Sequence, residues 1–302
     1  MVNLNHYSGT VIDRMAARRG DAAWLAERLI EPTTRFIPVW RGHSLVVERS
    51  APMAGMLVRD VMGALLDHPG VEPILLGADR SGVLFAVDVS FVDENQAAGL
   101  GGDGRFIELY GVATQLARDE ASLLSHAAWL VQWASKHRHC GTCGAPTVAA
   151  EAGHLRRCSD PACGTLHFPR TDPAVIVLVE HDGRCLLAHQ HGWPGRLHSC
   201  IAGFVEPGEA AEEAVAREVR EEAGIAVRDI RFHATQPWPY PCSLMIGFYA
   251  TTDDPALDLG DDELAEAAWY SRDDLRRPDL DIQLPRHDSI ARRLIDDWIA
   301  AG

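Results

Sequence analysis

Three glutamates, Glu218, Glu221 and Glu222, carry the most legible chemistry in this chain. Glu221 and Glu222 follow Glu218 by three and four residues, which puts all three on one face of a helix. Carboxylates so placed repel each other, and the cluster makes sense around a hard divalent cation, Mg2+ or Mn2+, that takes oxygen ligands. The stretch holding them runs Gly203-Phe-Val-Glu-Pro-Gly-Glu209, then Arg217-Glu-Val-Arg-Glu-Glu222 and Gly224-Ile225. Gly203 ends the apolar run Ser199–Ala202, and Pro207 with Gly208 makes a turn. Glu209 is expected to open the helix, whose N-terminal dipole favours an acid. Arg217 is placed to pair back to Glu209. Ala210, Ala211, Ala214, Val215 and Val219 supply the apolar stripe expected against a sheet. A charge run is more often a solvated helix face, but the glycines, the arginine and the spacing weigh against that here.

Four cysteines form a second group: Cys140-x2-Cys143, fourteen residues, then Cys158-x4-Cys163. Thiolates on two tight turns can converge tetrahedrally on Zn2+, and Gly144 and Gly164 let the backbone bend around it. Four thiolates close the coordination shell, so the expectation is one structural zinc per chain rather than a catalytic one. His137, His139, His154 and His167 lie nearby without being needed. Cys185, Cys200 and Cys242 read as free thiols of a reducing compartment. A third stretch, Gln236-Pro-Trp-Pro-Tyr-Pro-Cys-Ser243, alternates three prolines with aromatic residues. Proline at that density predicts a stiff extended loop, neither central strand nor helix, presenting Trp238 and Tyr240 for stacking on a ring.

The elements that must position these groups are readable in outline. Residues 36–40, 44–48 and 83–90 are β-rich, residues 95–104 look like a glycine-rich surface loop, and residues 112–136 have helical periodicity. Further on, 174–180 and 185–189 flank a hairpin turn, 209–223 and 288–300 read as helices and 244–250 as a strand. The expected division is an N-terminal domain (1–135), a zinc ribbon (136–168) and a catalytic domain (169–302), the whole of class α+β. A length of 302 residues suits two or three domains, and 47% apolar with 24% charged residues is ordinary for a globular protein. The net charge of −15 argues against a broad grip on nucleic acid, although bound metal can supply positive charge locally for a phosphorylated substrate. No run is apolar enough for a membrane span, and residues 1–10 lack the layout of a signal peptide, so a cytoplasmic location with no membrane partner is expected.

The glutamate stretch resembles the Nudix box, G-x5-E-x7-R-E-U-x-E-E-x-G-U with U aliphatic, at every specified position: Gly203, Glu209, Arg217, Glu218, Val219, Glu221, Glu222, Gly224 and Ile225. The aromatic stretch resembles the QPWPFPxS array of NADH pyrophosphatases within that superfamily, with Tyr240 where the pattern has Phe. The whole chain is similar to this family, apart from a C-x4-C second cysteine pair where C-x2-C is usual.

The resemblance implies a Nudix α/β/α sandwich, a zinc ribbon and an N-terminal Nudix-like domain without catalytic function, assembled as a homodimer. It also implies metal ligation by Glu218 and Glu222, with Glu221 beside them, by Glu263 (Glu266 competing) and by the carbonyl of Ala202. Phe168 and Phe204 match positions flanking the nicotinamide ring. Gln236, Pro237, Trp238, Pro239, Tyr240, Pro241, Cys242 and Ser243 match the substrate loop, and Ala291 a further contact. The implied reaction is hydrolysis of NADH or NAD+ to nicotinamide mononucleotide and AMP, a water being oriented or deprotonated by Glu221 or Glu222. Removal of an NAD cap from RNA would use the same bond. Another nucleoside diphosphate derivative such as ADP-ribose, or a catalytically dead ligand sensor, is the remaining alternative.

Overall fold

The computed structural model describes residues 5–259 and 263–302; the first four residues of the stretch read above for a signal peptide lie outside them. The chain forms two compact units, residues 7–170 and residues 171–302, the latter joined by Asn5 and His6. Among the described residues no helix is long and apolar enough to cross a membrane.

The first unit contains α1 (Ala22–Ile30), β1 (Arg35–Trp40), β2 (His43–Glu48), β3 (Pro52–Ala54), β4 (Leu57–Val58), α2 (Arg59–Met62), β5 (Ile74–Asp79) and β6 (Gly82–Asp88). There follow α3 (Glu94–Gly101), β7 (Gly104–Ile107), α4 (Leu109–Val112) and α5 (Arg118–Lys136). The sheet order is β3-β2-β1-β6-β5, with β4 on β1 and β7 on β2. The expected loop at 95–104 is largely α3: Asp93 accepts from the Gln96 amide (2.8 Å) while Gln96 Oε1 accepts from the Asp93 amide (3.1 Å). That reciprocal cap starts a helix in spite of the glycines, and Gly102, at φ +57°, ends it. The helix expected over 112–136 begins at Arg118, and Leu124, Ala127, Leu130 and Val131 bury its apolar face.

The ribbon strands β8 (Thr147–Ala150), β9 (Leu155–Cys158) and β10 (Leu166–His167) belong to the same unit. Arg156 fixes the ribbon to the rest of that unit. Its buried guanidinium donates to Glu72 (2.6 Å), to the hydroxyl and carbonyl of Thr147 (2.8 and 2.9 Å) and to the His137 carbonyl (3.2 Å).

The second unit consists of β11 (Asp172–His181), β12 (Arg184–Gln190), β13 (Ile201–Phe204), α6 (Ala211–Ala223), β14 (Arg228–Trp238), β15 (Ser243–Thr251), β16 (Leu264–Ser271), α7 (Arg272–Arg276) and α8 (Ile290–Ala300). Its sheet runs β14-β15-β11-β12-β16 with β13 on β11. Side chains alternate across a strand, so β11 sends Val175, Val177 and Val179 towards Ala214, Val215 and Val219 of α6. Its other face sends Ile176 and Leu178 towards Leu294, Ile295 and Trp298 of α8. Coverage on both faces explains why β11 reads as a continuous apolar run. Cys185 and Cys200 are buried in the second of these cores, where burial pushes the Cys185 thiol up to about 12.

The two units repeat one order of pairings. A hairpin (β1–β2, then β11–β12) carries a short antiparallel strand on its first member (β4, then β13). An antiparallel pair follows whose second strand lies parallel to that first member (β6 on β1, β15 on β11). A last strand pairs with the second member (β7 on β2, β16 on β12), and a long helix (α5, then α8) comes after it. Where the second unit has the thirteen-residue α6, the first has the four-residue α2 with Asp60 as its one acid.

The proline-rich stretch is not wholly a loop. Gln236, Pro237 and Trp238 end β14, with Pro237 opposite Leu244 and Trp238 opposite Ser243, and only residues 239–242 form the turn. β14 is an edge strand, where a missing amide proton leaves no ladder bond unmade. Gln236 is fully buried: its amide nitrogen donates to the carbonyls of Asp288 (2.6 Å) and His6 (3.2 Å), and its oxygen accepts from the Ile290 amide (2.7 Å). Gln236→Leu is therefore expected to cost about 2–4 kcal/mol by stranding the Ile290 amide and the Asp288 carbonyl. The check is the urea midpoint, and an unchanged midpoint would deny the side chain this structural role.

Candidate active site and structural metal site

The box residues are held together by one side chain. Arg217 grips Glu209 with two bonds (2.8 and 2.9 Å) and donates to Glu218 (2.8 Å), Glu221 (3.0 Å) and the Phe204 carbonyl (2.9 Å). These bonds use the whole donor capacity of a guanidinium. Glu209 also accepts from the Glu206 amide (3.0 Å), and the two partners hold its carboxyl down at about 2. Glu209 does not open the helix as expected. α6 starts at Ala211, and Glu213 caps it by accepting from the Ala210 amide (2.7 Å). Glu209 thus serves as the anchor for Arg217 at the end of the turn made by Pro207 and Gly208.

Gly203 is required by a close approach. A Cβ there would fall 1.9 Å from a carboxylate oxygen of Glu218, so the carboxylate lies directly over the β13 backbone, one residue beyond Ala202. Gly224 has a different role: at φ +73° it ends α6, its amide bonded to the Arg220 carbonyl (3.0 Å). Val219 and Ile225 are core residues.

The three helix glutamates differ in exposure. Glu222 is buried (3%), Glu218 is mostly covered and Glu221 is half-exposed (49%). Burial pushes the Glu218 carboxyl up, against the pull of Arg217, and the charges of Glu221 and Glu263 add to the push. Acids gathered around a shielded carboxylate suit a hard cation. Glu263 bonds through its Oε1 with Gln190 Nε2 (3.1 Å), and its carbonyl accepts from the His191 amide (3.1 Å). Its rival Glu266 faces Arg196 (3.5 Å) and the buried His198 ring (3.8 Å). Sequence reasoning missed Gln190, Arg196 and His198: the β12–β16 register, with Gln190 opposite Leu264, brings Gln190 to Glu263, and the segment after β12 brings Arg196 and His198 to Glu266.

Strand register also locates the aromatic turn. On one side of β11, Phe204 pairs with Ala174; on the other, Ser243 pairs with Asp172. The β14–β15 turn and the start of the box therefore lie at the same end of the sheet. Trp238 and Tyr240 meet edge to face, ring centres 5.3 Å apart. Both are half-buried, and Phe204 is exposed. Phe168 is exposed too and belongs to the first unit. Ser243 is buried, Cys242 lies 3.4 Å from the Asp172 carboxylate, and Ala291 is buried at the start of α8.

The four cysteine sulfurs lie within 4.8 Å of one another; among the described residues, no other group of three or more candidate ligands gathers so closely. The Cys140–Cys163 and Cys143–Cys158 distances of 3.8 and 3.4 Å approach the roughly 3.8 Å edge of a zinc–thiolate tetrahedron. The longer second spacing is absorbed by a turn in which Asp160 accepts from Ala162, Cys163 and Gly164 amides. This is a structural zinc site. Chelation, or Cys143→Ser, is expected to release about one zinc per chain and lower the melting temperature. Metal analysis finding no zinc in protein purified without chelators would contradict it.

The geometry of Gly203 gives a second prediction. In Gly203→Ala the flexible Glu218 side chain yields to the new Cβ, so the fold survives. Displacing the Glu218 carboxylate, a candidate metal ligand, by an ångström or more is expected to reduce diphosphate hydrolysis about a hundredfold. Near-normal turnover in the folded variant would show that the placement of Glu218 does not matter.

Comparison with known proteins accounts for most of the chain. The family model "NADH pyrophosphatase-like rudimentary NUDIX domain" matches residues 33–133, "NADH pyrophosphatase zinc ribbon domain" residues 135–168 and "NUDIX domain" residues 169–297. The "NAD-capped RNA hydrolase NudC" of Mycobacterium bovis is 44% identical over 207 residues, 64% of this chain and 65% of that protein. The chain thus spans somewhat under two thirds of the mycobacterial relative. The "NAD-capped RNA hydrolase NUDT12" of Macaca fascicularis is 30% identical over 342 aligned positions, covering 98% of this chain and 73% of the relative. With a rudimentary Nudix unit, a four-thiolate ribbon and an intact box in one order, the chain belongs to the NADH pyrophosphatase family of Nudix proteins.

Proposed function

We propose that this protein hydrolyses the pyrophosphate bond of NADH or NAD+, giving nicotinamide mononucleotide and AMP. The observation that carries the reading is the shared end of the sheet, where the intact carboxylate box and the Trp238–Tyr240 pair occur together. Glu218, Glu222 and Glu263, with the Ala202 carbonyl, are the ligands for Mg2+ or Mn2+. Such an ion, when bound, neutralises the diphosphate and lowers the pKa of a water. Arg217 keeps Glu218 and Glu221 from swinging apart. Glu221 or Glu222 takes the proton of the attacking water. Phe204 flanks the nicotinamide ring, and residues 236–243 form the substrate loop. In that loop Gln236 contributes by bracing β14 against α8, whereas Trp238 and Tyr240 offer ring faces. The first unit, with one turn in place of the box helix, is non-catalytic. The protein works in the cytoplasm as a homodimer.

A second reading, removal of the NAD cap from RNA by the same site, is favoured by the names of the Mycobacterium and Macaca relatives. The net charge of −15 and the engagement of Arg156 within its own unit favour the free dinucleotide. The test is product analysis with Mg2+ or Mn2+ on NADH, NAD+, ADP-ribose and NAD-capped RNA. Wild type should release AMP from the free dinucleotide, and Glu222→Gln should lose at least about a thousandfold in kcat while remaining folded. A folded Glu222→Gln enzyme with near-normal turnover at saturating metal would overturn the assignment, and cleavage of capped RNA alone would select the second reading.

A further inference from the structure

A cluster of cationic and imidazole groups in the first unit takes no part in the box. Arg14 and Arg19 come from the segment before α1, His126 from α5, and His154 from the ribbon turn before β9. The Arg14 guanidinium lies 3.1 Å from His126 Nε2. A guanidinium can only donate, so Nε2 is the acceptor and the ring proton sits on Nδ1. That Nδ1 is shielded from solvent and meets no acceptor. Nε2 of His154 is 2.6 Å from the Leu75 carbonyl, to which it donates. The two rings are 6.4 Å apart. Burial first, then the neighbouring charges of Arg14 and Arg19, keep both rings neutral, lowering His126 to about 3 and His154 to about 4.

Arg19 presents the same anomaly. Its Nε is buried without an acceptor. Burial and the charge of Arg14 press its pKa down, while Glu151 pulls the other way. The Glu151 carboxylate lies against Gly20, where a Cβ would stand 3.4 Å from its oxygen. The cluster therefore holds two guanidinium charges against one carboxylate, with two shielded N–H donors unspent, in a chain of net charge −15. Buried donors left without acceptors destabilise the fold, and like charges brought together add to that. Water could accept from these donors but would leave the surplus charge. An oxyanion with several acceptor oxygens meets the donors and the charge together.

We propose that Arg14, Arg19 and His126, with His154 behind them, form an oxyanion site that takes a phosphate group. Arg19 Nε and His126 Nδ1 donate to its oxygens, Arg14 supplies charge and fixes the His126 tautomer, and Glu151 limits the site to a net charge near +1. The phosphate can be the free ion or the terminal monoester of a nucleotide chain.

The experiment is calorimetric titration of the zinc-bound full chain, free of other divalent metal, at constant ionic strength. Inorganic phosphate is one probe; a 5′-phosphorylated dinucleotide and its 5′-hydroxyl counterpart are the others. Wild type should bind phosphate at about one per chain, and Arg19→Gln and Arg14→Gln should each weaken it about tenfold or more. Both substitutions are near or at the surface, and unchanged melting temperatures without phosphate will show that each variant folds. Preference for the 5′-phosphorylated dinucleotide over its 5′-hydroxyl form, lost in Arg19→Gln, assigns the site to a nucleotide terminus. Equal loss for inorganic phosphate alone assigns it to the free ion. The proposal is overturned if wild type binds phosphate no better than chloride, or if both variants bind it as wild type does.

Discussion

The second unit depends on holding three carboxylates around one guanidinium. Glu209, Glu218 and Glu221 would separate by mutual repulsion, and Arg217 holds each within 3.0 Å. Because Arg217 also reaches the Phe204 carbonyl (2.9 Å), the helix is tied to the strand that precedes it. Glu222 depends on that tie most: it is buried on the sheet side of α6, between Val219 and Ile225 in sequence, and its place follows from where the helix docks. The requirement for glycine at 203 is the steric counterpart. Bonding pulls Glu218 towards the strand, and only a residue without a Cβ leaves room for it there.

The first unit shows what the same topology becomes without that constraint. Its strand pairings follow the same order, and α5 comes after them as α8 does in the other. Between β4 and β5, however, stand only the four-residue α2 and a three-residue 3-10 turn, with Met62 packed into the core cluster. A four-residue helix cannot carry acids at three- and four-residue spacing on one face, so this unit keeps the architecture and loses the box. Its surplus positive charge lies elsewhere, around Arg14 and Arg19.

Much of this was legible in the sequence because the signals were local. The cysteine pairs, the apolar run of β11 and the spacing of Glu218, Glu221 and Glu222 each lie within a few residues of chain. Misreadings came where a local rule met a longer-range one. Glycines at 99 and 101 suggested a loop, but the Asp93–Gln96 cap made a helix. Prolines at 237 and 239 suggested a loop, but an edge position admitted Pro237 into β14. Glu209 suited a helix dipole, yet Arg217, eight residues on, fixed it in the turn. The buried role of Gln236 was invisible, since its partners lie at His6, Asp288 and Ile290.

Register across β11 sets the size of ligand that the proposed function needs. The strand carrying Phe204 and the one beginning at Ser243 flank β11 on opposite sides. Neighbouring strands are about 4.8 Å apart, so the box strand and the strand leaving the aromatic turn are separated by roughly 10 Å. A diphosphate bridge alone is shorter than that; a diphosphate with a ribosyl ring attached is not. A molecule whose phosphates reach Glu218 and whose ring reaches Trp238 must therefore extend a nucleoside's length beyond the reacting bond. Inorganic pyrophosphate can meet the carboxylates but not both sets of groups at once. The prolines matter on the same scale. With Pro237, Pro239 and Pro241 limiting backbone freedom, the aromatic turn keeps its distance from the box, and little ordering entropy remains to be lost when a ligand spans the two.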